Sequence, residues 1–171
     1  MARFLLCFLA IVLAAWSLPA PVGRAAEPGG NAAGAARGAT FAVDDAGEAY
    51  LMAALNEERL AAGRAPLARD GRLNRLARAK AEEMAREGYF SHVSPNMGTV
   101  YDMLAAEAIA FKWAGENIAR VPDVATAHAA FMESRDHRAN ILSAGYTHAG
   151  IGVVRAGSRV YVCQIFMKPS E

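Results

Sequence analysis

The chain has 171 residues, of which 54% are hydrophobic and 20% are charged. A chain of this length holds one globular domain of ordinary size, and the apolar fraction excludes a wholly disordered protein. The 18 basic and 17 acidic residues give a net charge of +1, so no overall field favours nucleic acid, and two cysteines are too few for a disulfide framework.

The first segment is typical of a secretory signal sequence. Arg3 supplies one positive charge, residues 4–16 form an unbroken apolar run, and Pro19 ends any helix. The run of 13 residues is shorter than the roughly 20 that a transmembrane helix needs. Small residues before the cut predict cleavage after Ala25. We therefore expect a signal peptide over 1–25 and a secreted protein, either extracellular or periplasmic.

Cleavage changes the composition that matters for folding. Removal of 25 residues leaves 146, with 16 basic and 17 acidic residues and a net charge of −1. Cys7 leaves with the signal, so Cys163 is the one cysteine of the mature chain, which cannot form an internal disulfide. Residues 26–43 are rich in glycine and alanine without apolar periodicity, which predicts a flexible linker. The folded domain is expected over 44–171, as a monomer without a membrane span.

Helix start signals recur along the first two thirds of this domain. Each predicted helix follows an aspartate or threonine whose side chain can accept hydrogen bonds from the free N–H groups of the first turn. Glycine or proline after the apolar pattern ends the first two helices. The predicted helices begin at Asp44 or Asp45, Asp70, Thr99 and Asp123, and a short turn or helix covers 135–142.

The end of the chain differs in kind. Residues 149–154 and 159–167 are rich in β-branched and aromatic side chains, and the short segment between them predicts a hairpin. Both runs are apolar on both faces, so we expect helices to cover the sheet on both sides. Residues 109–113 are a further predicted strand. Helices followed by strands favour an α+β fold in three layers, with a small antiparallel sheet.

Three polar side chains at predicted element boundaries are candidates for chemistry: His92, Glu116 and His137. Two imidazoles and a carboxylate suit zinc or another divalent metal, with one position open for water. Twenty or more residues separate each from the next, so spacing alone leaves open whether they converge. Cys163 could pair with a histidine as a nucleophile, but strand alternation favours a small core residue.

Several short motifs follow one another in a distinctive order. They are LNEER at 55–59, YFSHVSP at 89–95, GENIA at 115–119, HRANIL at 137–142 and GIGV at 150–153. Together they resemble the bacterial branch of the CAP superfamily, which includes cysteine-rich secretory proteins, insect venom allergens and plant pathogenesis-related proteins of class one. The resemblance spans about residues 47–167, nearly the whole predicted domain.

The resemblance implies an α-β-α sandwich with a central cleft. Family members place two histidines and two acidic residues there, and some bind zinc or another divalent ion. Matched motif by motif, His92 and His137 take the histidine positions and Glu116 takes the first acidic position. Ser134 falls on the second acidic position, as is usual in the bacterial branch. Helical geometry at roughly 100° per residue places Glu133 on the side of the helix opposite the side that carries Ser134.

Other residues are placed in this cleft by the same comparison and by helical periodicity. We expect Ser134, Asn117, Asn140 and His128 in its walls, with His128 on the apolar side of its helix. Asp136 stands where bacterial relatives often carry glycine. Its charge beside His137 would favour the imidazolium form and so oppose metal binding if the two side chains touch.

Three functions from different classes remain open. The resemblance most favours a secreted binding or interaction module that recognises a peptide, glycan or lipid in its cleft. A metal-dependent hydrolase using His92, Glu116 and His137 is the second, with a metal-activated water as nucleophile. A structural component of the cell envelope, in which the same residues form a hydrogen-bonded network, is the third. Nucleic acid is not an expected partner, because Glu and Asp interleave the Arg-rich stretch over 59–86.

Overall fold

The computed structural model describes residues 40–170. The predicted signal peptide and residues 26–39 of the predicted linker lie outside this range. The five helices of the described region are α1 (Asp45–Ala61), α2 (Gly71–Glu87), α3 (Val100–Ala106), α4 (Val124–Glu133) and α5 (Arg135–Leu142). Its five strands are β1 (Phe41–Val43), β2 (Ala68–Arg69), β3 (Phe111–Val121), β4 (His148–Ala156) and β5 (Arg159–Pro169).

The sheet is built around the C-terminal hairpin. Strand order is β1-β4-β5-β3 with antiparallel neighbours, and the two-residue β2 adds a parallel pairing to β4. Gly157 makes the hairpin turn with φ +59°, in the left-handed region that glycine occupies at no steric cost. The predicted hairpin is confirmed, and β3 lies at one edge of the sheet with β5 as its only neighbouring strand among the described residues.

Helices cover both faces of the sheet, which gives the predicted three layers. On one face α2 and α3 pack over a core that contains Leu73, Met103 and Cys163. On the other face α1, α4 and α5 pack over a core that contains Leu55, Phe131 and Ile141. Strands β4 and β5 contribute to both cores, which explains why their sequences are apolar on both faces. Between residues 40 and 170, no helix is both long enough and apolar enough to cross a membrane.

The predicted helix starts are confirmed by their caps. In each case the side chain of the residue before the helix accepts a hydrogen bond from a backbone N–H of the first turn. The caps are Asp44, Asp70, Thr99 and Asp123. Thr99 forms a full capping box with Asp102.

Two strands differ from the predictions. Phe41–Val43, predicted as the end of the linker, pairs with Val154–Ala156 of β4. Composition concealed this strand, because its pairing partner lies more than a hundred residues away in sequence. Strand β3 continues from the predicted 109–113 region to Val121, so Glu116 lies inside a strand and not at its boundary. The polar residues Glu116 and Asn117 interrupt the apolar pattern that would have revealed it.

Helix α2 lies directly on β4 because two glycines leave room for its backbone. A Cβ atom at Gly150 would overlap the backbone of Leu73 and Asn74, and one at Gly152 would overlap the backbone of Ala77 and Arg78. Both glycines are buried. The close approach of helix and strand therefore requires glycine at position 152.

We predict that Gly152→Ala lowers the free energy of unfolding by about 1–3 kcal/mol, because the added methyl group must push α2 away from β4. Gly71→Ala is the matched control, since a Cβ atom there meets open space at the first residue of the same helix. Urea unfolding followed by circular dichroism measures both. Equal stability of the two variants would contradict the close packing.

A buried carboxylate joins α1 to α2. Glu48 is fully buried, and Arg78 donates to both of its oxygens at 2.6 Å. Arg69 and Asn74 donate to Oε2 at 3.2 and 3.3 Å. Asn74 in turn accepts from the backbone N–H of Ile151 at 3.3 Å. The network therefore connects both helices to β4 through charge-assisted hydrogen bonds.

We predict that Glu48→Gln costs about 1–3 kcal/mol of stability, because Arg78, Arg69 and Asn74 lose a charged, buried acceptor that the amide cannot replace. Glu82→Gln serves as the control, since the Glu82–Arg86 pair is exposed and one helical turn apart. Its loss should change stability by less than about 0.5 kcal/mol. Comparable destabilisation in both variants, measured by thermal or urea unfolding, would contradict this assignment.

Candidate functional site

The loop that carries His92 is fixed from beneath by α2. Helix α2 ends at Gly88 in the left-handed conformation, φ +70°, and the chain then turns across the surface. Glu83 of α2 accepts hydrogen bonds from Tyr89 Oη at 2.6 Å, Ser94 Oγ at 2.5 Å and Asn96 Nδ2 at 2.6 Å. Burial and the contact with Glu83 raise the pKa of Tyr89, so its hydroxyl remains a donor.

Lys80 supports the same loop from the core. It is fully buried, and its Nζ donates to the backbone oxygen of His92 at 3.2 Å. The ammonium group also stands 5.3 Å from the centroid of the Tyr89 ring, in cation–π contact. Helical periodicity placed Lys80 on the core side through its stem, but no sequence signal indicated that its head group or Glu83 holds the His92 loop.

Glu116 and His92 form a close pair on the α2 face of β3. His92 Nδ1 and Glu116 Oε1 are 2.7 Å apart. The other oxygen, Oε2, accepts from Cys163 Sγ at 3.5 Å. The glutamate side chain is 3% exposed, whereas that of His92 is 57% exposed. Burial, followed by the charge of Glu116, raises the pKa of Cys163 well above its usual range, so this thiol stays protonated and is not a nucleophile.

The next residue of β3 serves the opposite face, because side chains alternate along a strand. Asn117 is fully buried and its Nδ2 donates to the backbone oxygen of His137 and to Gln164 Oε1, each at 3.1 Å. Asn140 of α5 donates to Asn117 Oδ1 at 2.9 Å and to the backbone oxygen of Glu116 at 3.3 Å. The two asparagines therefore fix α5 against the edge of β3.

His137 is held on α5 beside an aromatic ring. Its imidazole meets Phe131 edge to face, with centroids 5.3 Å apart and an interplanar angle of 73°. Burial lowers the pKa of His137, and the charge of nearby His92 lowers it further. Asp136 acts in the expected opposite direction, but burial outweighs it. His137 is therefore a neutral imidazole at neutral pH.

The three predicted residues converge on one strand edge but not on one point. His92 and Glu116 lie on the α2 face of β3, and His137 lies on α5. Within residues 40–170, no three side chains of His, Cys, Asp or Glu are placed to hold a metal ion together. His92 Nδ1 is bonded to Glu116, and both Glu116 oxygens are engaged. The donor set in this arrangement does not fit a divalent ion bound by all three residues.

The remaining predicted cleft residues divide. Ser134, at the junction of α4 and α5, lines a groove together with His137 and Phe131. His128 was predicted in the cleft wall, but the structure places it against α1, with its Nε2 3.6 Å from Glu58 Oε1. Periodicity identified its buried side correctly and could not tell which neighbouring helix covers that side. Glu133 is exposed, as helical geometry predicts.

Two recesses flank β3. One holds about 330 Å³ and is lined by His92, Glu116 and neighbouring residues of α3 and β3. The other, which we call the edge groove, holds about 290 Å³. It is lined by Phe90, Ile118, Ala119, Arg120, Val121, Ala130, Phe131, Ser134 and His137. Four consecutive strand residues can line one recess only when it opens along the edge of the strand, since their side chains point to alternate faces.

A sheet covered by helices on both faces, with a His–Glu pair and a second histidine at its edge strand, defines an α-β-α sandwich with a cleft at the sheet edge. The family model of CAP, the cysteine-rich secretory protein family, matches residues 52–166, and the chain belongs to this family. The family and fold predicted from the motifs are thus confirmed.

Two relatives come from Bacillus subtilis. The chain is 40% identical to the protein YkwD over 114 residues, which are 65% of this chain and 44% of YkwD. It is 35% identical to the membrane protein YlbC over 122 residues, which are 71% of this chain and 34% of YlbC. The chain therefore spans less than half the length of these curated relatives.

Solved structures share the architecture. An extracellular protein from Bacillus anthracis that contains an SCP domain superposes with a TM-score of 0.69 at 29% identity, over 73% of this chain and 41% of that chain. An outer surface protein from Borrelia burgdorferi superposes with a TM-score of 0.72 at 14% identity, over 77% of this chain and 99% of that chain. The second likeness concerns the fold alone.

We predict that the pKa of His137, measured by NMR titration, lies below the usual 6.5 of histidine. His92→Gln should raise it by removing a nearby charge, and Asp136→Asn should lower it further. Because the folded state binds the proton more weakly than the unfolded state, His137 should make the protein less stable as the pH falls below about 6.5. A His137 pKa unchanged in both variants would contradict the described electrostatics.

Proposed function

We propose that this chain is a secreted binding module that recognises an extracellular ligand in the cleft along the edge of β3. The observation that carries the proposal is the edge groove, which combines apolar walls with few polar groups, the usual character of a ligand site. Asn140 of α5 donates to Asn117 Oδ1 of β3 and so fixes the helix that carries His137 against the strand. Fixed walls favour recognition, because little conformational freedom is lost on binding.

The chemistry of the neighbouring groups supports binding over hydrolysis. Cys163 is buried and protonated, and the Glu116 carboxylate is bonded to both His92 and Cys163. A hydrolase that used all three side chains as metal ligands would need Glu116 to give up both of these partners. Secretion is supported by the signal-like residues 1–25 and by the extracellular description of the Bacillus anthracis relative.

The first prediction from this proposal concerns metal. After incubation of the purified protein with zinc and gel filtration, elemental analysis should find well below one equivalent bound. Zinc should also leave the melting temperature unchanged, since an ion that binds only the folded state would raise it. Glu116→Gln is the comparison, because it removes the carboxylate of the would-be ligand set. A stoichiometric ion that is lost in Glu116→Gln would instead support the hydrolase alternative.

The second prediction concerns the ligand class. We would titrate the isotope-labelled protein with a casein peptide digest, with chitin oligosaccharides and with phosphatidylglycerol vesicles. One class should shift the amide signals of β3 and α5 in a saturable way, and the probe should be recovered chemically unchanged. Ser134→Trp should abolish the shifts by filling the edge groove. Glu133→Trp is the matched control, because the Glu133 side chain is next to Ser134 in sequence but is exposed and does not line the edge groove.

Either of two outcomes would contradict the binding proposal. The first is that none of the three probe classes acts on the cleft residues. The second is that a probe is recovered cleaved, with the cleavage lost in Glu116→Gln. The first outcome would favour a structural role in the cell envelope, and the second would favour catalysis.

A further inference from the structure

The pairing of the sheet determines which backbone groups of β3 face outward. Along β4, the carbonyl oxygens of Ala149 and Val153 accept from the backbone N–H groups of Asp70 and Asp44, respectively. The backbone N–H and C=O groups of the odd-numbered β4 residues therefore point away from β5. The even-numbered residues of β4 therefore bond to β5. The register of the hairpin places them opposite odd-numbered β5 residues, for example Gly152 opposite Cys163. The even-numbered residues of β5 then remain for β3.

The register of β3 with β5 determines the outward groups of the edge strand. Ala119 lies opposite Val162 and is a β5-bonded residue, whereas Ile118 and Arg120 direct their N–H and C=O groups to the free edge. An independent contact agrees, because the outward carbonyl of Glu116 accepts from Asn140. Helix α5 thus covers the edge at residue 116, and among the described residues nothing hydrogen-bonds to the outward groups at 118 and 120.

These free groups open into the edge groove. Ile118 and Arg120 both line it, and the register directs their N–H and C=O groups to the same edge of β3. A strand edge with unpaired backbone groups is a template for another extended chain. The spacing requires a segment of three residues, in which the first and third each exchange two hydrogen bonds with β3.

The walls select the side chains of such a segment. On the face shared with Ile118 the groove presents Phe90 and Arg120, whose guanidinium lies 5.8 Å from the Phe90 centroid. Arg120 is the only Arg, Lys, Asp or Glu side chain in the lining. On the opposite face Ala130 and Phe131 form an apolar wall. The complementary pattern alternates acidic and apolar side chains.

We propose that the edge groove binds an extended peptide segment with alternating acidic and apolar residues, which adds to β3 as a further antiparallel strand. This inference rests on the proposed binding function and names its ligand class. We expect a second copy of the chain to be a poor occupant, because Phe90 on one side and the α4 residues Ala130 and Phe131 on the other line the groove along the free edge. The same walls on both copies would meet before their β3 edges could pair.

The central experiment uses matched N-methylated peptides. The probe is an acetylated and amidated pentapeptide, Glu-Val-Glu-Val-Glu, whose Glu amides face β3 when the Glu side chains lie on the Arg120 side. N-methylation of the inner Glu amide should weaken binding about tenfold, since it removes one hydrogen bond and adds a clash at the edge. N-methylation of the Val amides, which face away from β3, should have little effect. A peptide with Lys in place of Glu should bind at least several-fold more weakly.

Hydrogen exchange locates the contact. Saturation with the probe should slow amide exchange at Ile118 and Arg120, whereas Ala119 is already protected by β5 in the free protein. Arg120→Ala should lose the preference for Glu over Lys but retain this exchange pattern. Arg120→Pro removes the outward N–H as well, a change that an edge strand tolerates, and should weaken binding beyond the effect of Arg120→Ala.

Several outcomes would overturn the inference. They are equal binding of the two N-methylated probes, exchange at 118 and 120 that the probe leaves unchanged, and protection there that rises with protein concentration alone, which would indicate self-pairing. If the oligosaccharide or vesicle probes shift the cleft signals while the peptide does not, the peptide inference fails and the binding function stands. If no probe acts on the cleft, both fail together.

Discussion

The alternation of Glu116 and Asn117 along β3 couples the two helical layers of this protein. The two residues are neighbours in sequence, yet a strand directs their side chains to opposite faces of the sheet. Glu116 bonds to His92 in the loop after α2, and Asn117 donates to the backbone oxygen of His137 on α5. One dipeptide therefore fixes the positions of both histidines, and its strand must keep its register with β5 for either contact to exist.

Hydrogen bonds of buried polar groups connect the layers of the fold. Glu48 joins α1, α2 and, through Asn74, β4. Lys80 and Glu83 hold the His92 loop from below. Cys163 is the only cysteine among the described residues, and these networks have the geometric role that disulfides have in many secreted domains. Their hydrogen bonds are directional, so they specify one arrangement of helices where apolar packing alone would tolerate several.

Local chemistry made the helices and the hairpin predictable. Asp44, Asp70, Thr99 and Asp123 cap helices because their side chains reach backbone N–H groups only three residues away. The site was predictable only in part, since its three main residues could be named from the motifs but not placed. Their convergence depends on the register of β3 with β5, which is a long-range pairing. His128 illustrates the same limit, because periodicity gives a buried side and not the element that covers it.

The sequence did not predict β1 or the full length of β3, and the two omissions have different physical causes. A three-residue strand such as Phe41–Val43 carries too little pattern to be seen, and only its bonds to β4 make it a strand. Strand β3 is interrupted by the polar pair that forms the site. The candidate site residues Glu116 and Asn117 thus interrupt the apolar pattern from which a strand is predicted, and tertiary contacts stabilise them instead.

The order of strands across the sheet also bears on how the chain folds. The central strands, β4 and β5, are the last to leave the ribosome, whereas the strands that flank them, β1 and β3, come earlier. Phe41 must wait for Ala156 before it has a partner, so the long-range contacts form late and folding is expected to be slow. The N-terminal two thirds of the domain therefore has no sheet on which to assemble until the hairpin has formed. A truncation within β5 would for this reason abolish the whole fold and not merely its last strand.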